Sequence, residues 1–160
     1  MNKLSFNKVL VFNIGFDKNT LSYRNYHWIY FPEKEINFYR VGFYNNILNT
    51  DKLSIYVEIG FDKNNDINIK SEYEKTLENL KKIGIISDHR IIDYEAILMN
   101  PAYIHINSKH NLEINEVISQ LEKREIYTIG RYGRWKYCSI EDSMQDAVNL
   151  SSALNDRGGE

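Results

Sequence analysis

Residues 8–16 run Lys8-Val9-Leu10-Val11-Phe12-Asn13-Ile14-Gly15-Phe16. Val9, Val11 and Asn13 share one parity, and Leu10, Phe12 and Ile14 share the other. A strand here is therefore apolar on both faces, which places it inside a sheet rather than at an edge. Gly15 and the polar run Asp17-Lys18-Asn19 end it. Residues 27–31 read as a second strand stopped by Pro32, and residues 38–43 as a third, with Pro32-Glu33-Lys34-Glu35 as the hairpin between them. In residues 53–61, Leu53, Ile55, Val57 and Ile59 alternate with Ser54, Tyr56, Glu58 and Gly60, a fourth strand.

Helical periodicity begins only after these strands. Ser71 and Glu74 have capping-box spacing, Tyr73, Leu77, Leu80 and Ile83 recur on one side, and Gly84 stops the helix. Strand character returns at residues 89–99 and 102–106, with Pro101 as the break. Residues 112–124 form a second expected helix with Ile114, Val117, Ile118 and Leu121 inward. A short strand follows at 126–129. A third helix runs from about Ser139 to Leu154, with Glu141 and Asp142 favourable against its dipole. Strands precede helices instead of alternating with them. The expected fold is α+β: an antiparallel or mixed sheet of about six strands with three helices packed mainly on one side, in a single domain over residues 1–160.

Composition bounds the function. The chain has 160 residues, 42% hydrophobic and 26% charged, which excludes a disordered tail, a coiled coil and a collagen-like chain. Net charge is −2, from 20 basic and 22 acidic residues. Neither a nucleic-acid footprint nor an acidic solvating tail follows from that. Cys138 is alone, so a reducing compartment is expected. No run of apolar residues is long enough to span a membrane, and no signal-peptide core is present, so the expectation is a cytoplasmic protein without a membrane partner. The 12 tyrosines go with an Asn- and Ile-rich composition of the kind that genomic drift produces.

Two clusters carry chemistry. Gly130-Arg131-Tyr132-Gly133-Arg134-Trp135-Lys136-Tyr137 places cations and aromatics between an expected strand and a capped helix. Its glycines permit close backbone approach and its arginines offer planar forks for phosphate. A solvated surface turn is the plainer alternative. In His27-Trp28-Ile29-Tyr30-Phe31-Pro32 and Phe38-Tyr39-Arg40-Val41, the side chains of Trp28, Tyr30, Phe38 and Arg40 share a parity. A buried arginine needs a partner, and either a ligand anion or a carboxylate such as Glu58 serves. Tyr39, Arg40 and Phe43 also suit a single-stranded nucleic acid, but the net acidity argues against that partner. His27, His89, His105 and His110 have no ligand spacing, so no metal site is expected.

The segments His27–Glu33, Phe38–Phe43, Pro101–Ile106 and Gly130–Ser143, with the opening Phe12-Asn13-Ile14-Gly15-Phe16-Asp17, resemble in order the C-terminal part of the flavin-dependent amine-oxidase-like family. UDP-galactopyranose mutases and their bacterial relatives in surface-polysaccharide biosynthesis are the nearest branch. The resemblance implies a substrate pocket at Trp28, Tyr30 and Tyr103. It implies a nucleotide-sugar diphosphate, or a similar anionic small molecule, clamped by Arg40, Arg131 and Tyr137. It implies flavin contacts at Ile140, Glu141, Asp142 and Ser143, which open the last helix. FAD is the cofactor of the complete family. This chain has no G-x-G-x-x-G turn to cradle the flavin pyrophosphate. The expectation is thus a mutase-like or oxidoreductase-like fragment that does not catalyse alone, whose partner is a separate Rossmann-bearing half or a second copy. The alternative is a non-catalytic interaction or binding module derived from the same fold.

Overall fold

The computed structural model describes residues 5–20, 26–48, 50–106 and 108–157. Its contacts divide into two compact units, residues 7–103 and residues 5–6 with 104–157.

The first unit is an α+β sheet unit. Strands β1 (Asn7–Phe16), β2 (Trp28–Tyr30), β3 (Arg40–Phe43), β4 (Ser54–Asp62) and β5 (Ile91–Met99) form one antiparallel sheet in the order β2-β3-β4-β1-β5. The doubly apolar β1 sits between β4 and β5, as its sequence requires. Helix α1 (Tyr44–Leu48) follows β3, and helix α2 (Ile69–Lys82) follows β4.

Alternation decides which face is the core. Leu10, Phe12 and Ile14 of β1 and Ile55, Val57 and Ile59 of β4 are buried with Phe16, Phe38, Val41, Phe43 and Leu53. Each such side chain contributes about 1.5–3 kcal/mol on leaving water. Helix α2 adds Leu80 and the buried Thr76. Tyr73 packs edge-on against Phe12 at 5.3 Å and stacks on Tyr94 of β5 at 4.0 Å. Burial beside Tyr94 raises the Tyr73 phenol above its ordinary range.

Several expectations need correction. Helix α2 starts earlier than Ser71: Asn68 is its cap and accepts the Ser71 N–H at 3.1 Å. Asparagine serves a cap as well as serine does, so the Ser71–Glu74 spacing is not a capping box. Gly84 ends the helix as expected, at φ +76°. Phe38 leaves the parity of Arg40 and points into the core, because residues 31–39 are irregular. Residues 102–106 contribute only an isolated bridge, Phe6 to Ile104, and residues 126–129 form no strand. The sheet therefore has five strands.

The second unit contains α3 (Ser108–Glu122), the single turn α4 (Gly130–Gly133) and α5 (Ile140–Arg157). Ile118 is buried in α3 and Ile114 and Leu121 are half-buried, whereas Val117 lies outside the stripe and is exposed. Phe6 meets Trp135 edge-on at 6.4 Å, and Ser5 Oγ lies 2.7 Å from His105 Nδ1. None of the helices is long and apolar enough to cross a membrane, among the described residues.

Candidate functional site

The sheet face opposite α2 gathers the polar and aromatic residues of the first unit. Register sets Arg40 of β3 between Tyr30 of β2 and Glu58 of β4, and Gly42 between Trp28 and Tyr56. Trp28 and Tyr30 are 52% and 58% exposed, whereas Glu58 is only 7% exposed. The expected parity of Trp28, Tyr30 and Arg40 is thus present.

Arg40 already has a protein partner. Its Nη2 donates to Glu58 Oε1 at 2.5 Å and its Nη1 to the Tyr30 hydroxyl at 3.2 Å. The other Glu58 oxygen accepts the Tyr39 hydroxyl. The guanidinium carbon lies 5.7 Å from the Tyr30 ring centre and 5.9 Å from those of Tyr39 and Tyr56, within cation–π range. A carboxylate this buried is tolerated because charge and hydrogen bonds both compensate it.

Two glycines make room for the tyrosines. A Cβ at Gly42 would stand inside the Tyr56 ring, and one at Gly60 would touch the Tyr39 ring at 3.7 Å. Tyr56 also lies 5.1 Å from Tyr44. Arg40 Nε and Asn13 Oδ1, both buried, have no hydrogen-bond partner among the described residues.

These contacts fix protonation states. Burial, then the bond to Glu58, raises the Tyr39 phenol far above its ordinary range. Burial also raises Tyr56, although Arg40 opposes the shift. Burial works against the Arg40 charge, but the bonds to Glu58 and Tyr30 outweigh it and push Arg40 upward. At neutral pH, Arg40 is cationic and both phenols keep their protons. The face therefore binds and orients, and its buried tyrosines are not bases. Tyr103 belongs to the same unit: its N–H donates to Asn7 Oδ1 at 2.8 Å, and it interacts electrostatically with Tyr39 and Arg40.

Sequence reasoning named Trp28, Tyr30, Arg40 and Tyr103 here, offered Glu58 as one possible partner of Arg40 and Tyr39 only for nucleic-acid stacking, and left Tyr56 outside the site. Tyr56 and Glu58 alternate with the core residues of β4, and that signal placed them on the second face. Only strand register showed that they meet Arg40.

In the second unit, Gly130 adopts φ +74° and its N–H donates to Asp146 Oδ2 at 3.3 Å. Arg131 Nη2 donates to the Cys138 carbonyl at 2.8 Å, and its guanidinium lies 5.2 Å from the Tyr137 ring centre. Tyr137 is 73% exposed. Arg134 pairs with Glu122 at 3.2 Å and Lys136 with Asp146 at 2.8 Å. The bond from Lys136 lowers the Asp146 carboxyl, and Asp146 raises Lys136 in return. Arg131 and Tyr137 are thus together in this unit, whereas Arg40 belongs to the other.

Ser139 caps α5. Its N–H and hydroxyl both bond Asp142 Oδ2 at 2.8 Å, and Asp142 N–H donates to Ser139 Oγ at 3.0 Å. The Ser139 N–H holds the Asp142 carboxyl below its ordinary range. Ser143 Oγ donates to the Ser139 carbonyl at 3.0 Å, and Ile140 and Glu141 are exposed. This helix start does not fit a flavin pyrophosphate. The Asp142 N–H is taken, and two carboxylates would face an anion there. Among the described residues, no group of three His, Cys, Asp or Glu side chains is placed to hold a metal ion.

No protein-family model matches the chain. Among curated proteins, it is similar to the transcriptional regulator MraZ of Ureaplasma parvum serovar 3, at 25% identity over 109 residues, covering 66% of this chain and 74% of that protein. The transcriptional regulator MraZ of Ureaplasma urealyticum serovar 10 is 26% identical over 105 residues, covering 64% and 72%. Among solved structures, reduced UDP-galactopyranose mutase superposes with a TM-score of 0.75 at 21% identity, over 85% of this chain and 30% of that one. A putative protoporphyrinogen oxidase from Exiguobacterium superposes with a TM-score of 0.71 at 13% identity, over 96% and 35%. These two share the fold of this chain, which spans about a third of their length.

Proposed function

We propose that the chain is the substrate-side and C-terminal portion of a flavin-dependent protein like UDP-galactopyranose mutase and the amine oxidases. In this reading it binds a nucleotide-sugar diphosphate for surface-polysaccharide biosynthesis and does not catalyse alone. One observation carries the reading: an exposed aromatic face, Trp28 and Tyr30, built around a positioned guanidinium on a sheet of this fold. Ring stacking on Trp28 and Tyr30 supplies contact area, since exposed aromatic faces favour offset stacking.

The charges differ between the units. Arg40 and Glu58 together are neutral, so Arg40 chiefly orients the Tyr30 hydroxyl. Arg131, beside the exposed Tyr137, offers the second unit a phosphate contact of its own. The flavin of the resembled family would supply the hard chemistry, but the sequence has no G-x-G-x-x-G turn to cradle its pyrophosphate. Calorimetric titration of UDP-galactose into the whole chain tests the reading. Saturable binding that Arg131→Ala weakens supports it, and absence of binding rejects it.

The likeness to MraZ sequences favours a second reading, a nucleic-acid-binding regulator. A net charge of −2 gives that reading little counterion-release drive. Retardation of duplex DNA by the chain would favour it over the first.

A further inference from the structure

Strand β5 is an outer strand nine residues long, without proline or lysine, and most of its side chains are exposed. The hydrogen bonds of β1 show which β5 groups face outward. Phe16 N–H donates to the Leu53 carbonyl on the β4 side at 2.8 Å. Asn7 N–H donates to Tyr103 at 2.9 Å and Asp17 N–H to Arg90 at 3.0 Å, both toward the β5 side. Even-numbered residues of β1 thus address β4 and odd-numbered ones address β5. Val11 faces Ile97 and Asn13 faces Glu95 as bonded pairs, while Phe12 faces Ala96 as an unbonded pair. The main-chain groups of Tyr94, Ala96 and Leu98 therefore point away from the sheet. Tyr94 N–H agrees, because it takes the side chain of its neighbour, Asp93 Oδ1, at 2.8 Å.

We infer that β5 pairs antiparallel with β5 of a second copy, joining two five-stranded sheets across a two-fold axis at Ala96. Side-chain complementarity selects the occupant and the register. Centred on Ala96, Tyr94 lies opposite Leu98 of the second copy, Glu95 opposite Ile97, and Asp93 opposite Met99. An aromatic meets an aliphatic side chain, and no carboxylate meets another. Ala96 then bonds both its N–H and C=O groups across the axis, and Tyr94 and Leu98 bond each other's, the Tyr94 N–H exchanging Asp93 Oδ1 for the Leu98 carbonyl of the second copy. Centring on Glu95 sets two carboxylates face to face, centring on Tyr94 sets Asp93 against Glu95, and centring on Ile97 removes the Tyr94–Leu98 pair. A self-complementary strand is what an isologous dimer needs, and a long exposed apolar edge is a template for pairing. The opposite edge, β2, has only three residues.

Analytical ultracentrifugation of the whole chain over a wide concentration range tests this pairing. The native chain should move from monomer to dimer as concentration rises. Ala96→Pro removes an outward N–H and no bond to β1, so it should remain monomeric at every concentration with an unchanged circular dichroism spectrum. Leu98→Lys provides the same test on an unaltered backbone if Ala96→Pro fails to fold. A native chain that stays monomeric throughout overturns the inference, as does a folded Ala96→Pro or Leu98→Lys variant that dimerises as tightly as the native chain.

Discussion

Gly42 of β3 and Tyr56 of β4 are cross-strand partners, and the Tyr56 ring fills the space that a side chain at position 42 would need. Gly42→Ala must therefore displace that ring from Arg40. Overpacking of this kind costs about 1–3 kcal/mol. In a Tyr56→Ala background the clash is gone. There the substitution should be neutral or stabilising by up to about 1 kcal/mol, because glycine is unfavourable inside a strand. Urea denaturation of the four proteins of this cycle measures the coupling.

Removing Arg40 leaves the Glu58 carboxylate buried without its cation. Arg40→Ala should destabilise the chain by about 2–4 kcal/mol, just under the range for a fully buried pair because the Arg40 side chain is 21% exposed. Replacing both residues with apolar side chains of similar volume should recover most of that loss. Equal stability of native chain and Arg40→Ala would show that the pair is solvated.

Tyr39, Tyr56 and Tyr73 should ionise later than the other tyrosines when phenolate absorbance is followed with pH. The sign follows from linkage. A raised folded-state value means that the unfolded chain loses its proton first. The associated stability is present below about pH 10 and lost as pH rises through the folded value. Thermal unfolding midpoints should fall in alkali, and less steeply in Tyr39→Phe.

Asp142 and Asp146 behave oppositely. Their folded-state values are depressed, so their contribution is present above about pH 4 and lost as pH falls through the folded value. Acid should therefore loosen the start of α5 and the Lys136–Asp146 pair. Protection factors against hydrogen exchange at the Asp142 and Ser143 amides, taken relative to the intrinsic rate at each pH, should fall there, and Asp142→Asn should remove most of that pH dependence at the cap.

Arg131→Ala should weaken UDP-galactose binding by about 1.5–3 kcal/mol, the scale of a charged hydrogen bond. Arg40→Ala should weaken it less, because Glu58 already neutralises that cation. FAD titrated into the chain should give no saturable fluorescence quenching, since the start of α5 is occupied by its own cap. Tight quenching would show that the flavin binds without a Rossmann turn.

Periodicity by itself determined the sheet unit of this protein. The two apolar faces of residues 8–16 made β1 internal, alternation at residues 53–61 assigned the two faces of β4, and Gly84 ended α2. These are local properties, read from side-chain parity and backbone freedom alone. Parity also put Trp28, Tyr30 and Arg40 on one face once β2 and β3 pair, which they do across the irregular residues 31–39. Only the tertiary structure decided the partner of Arg40. The register of β3 against β4 brings Tyr56 and Glu58, 16 and 18 residues away in the chain, around the guanidinium with the adjacent Tyr39, and no local pattern encodes which strand lies alongside. The same holds for Asn68, Phe38 and residues 126–129, where irregular backbone and neighbouring contacts override a plausible local pattern.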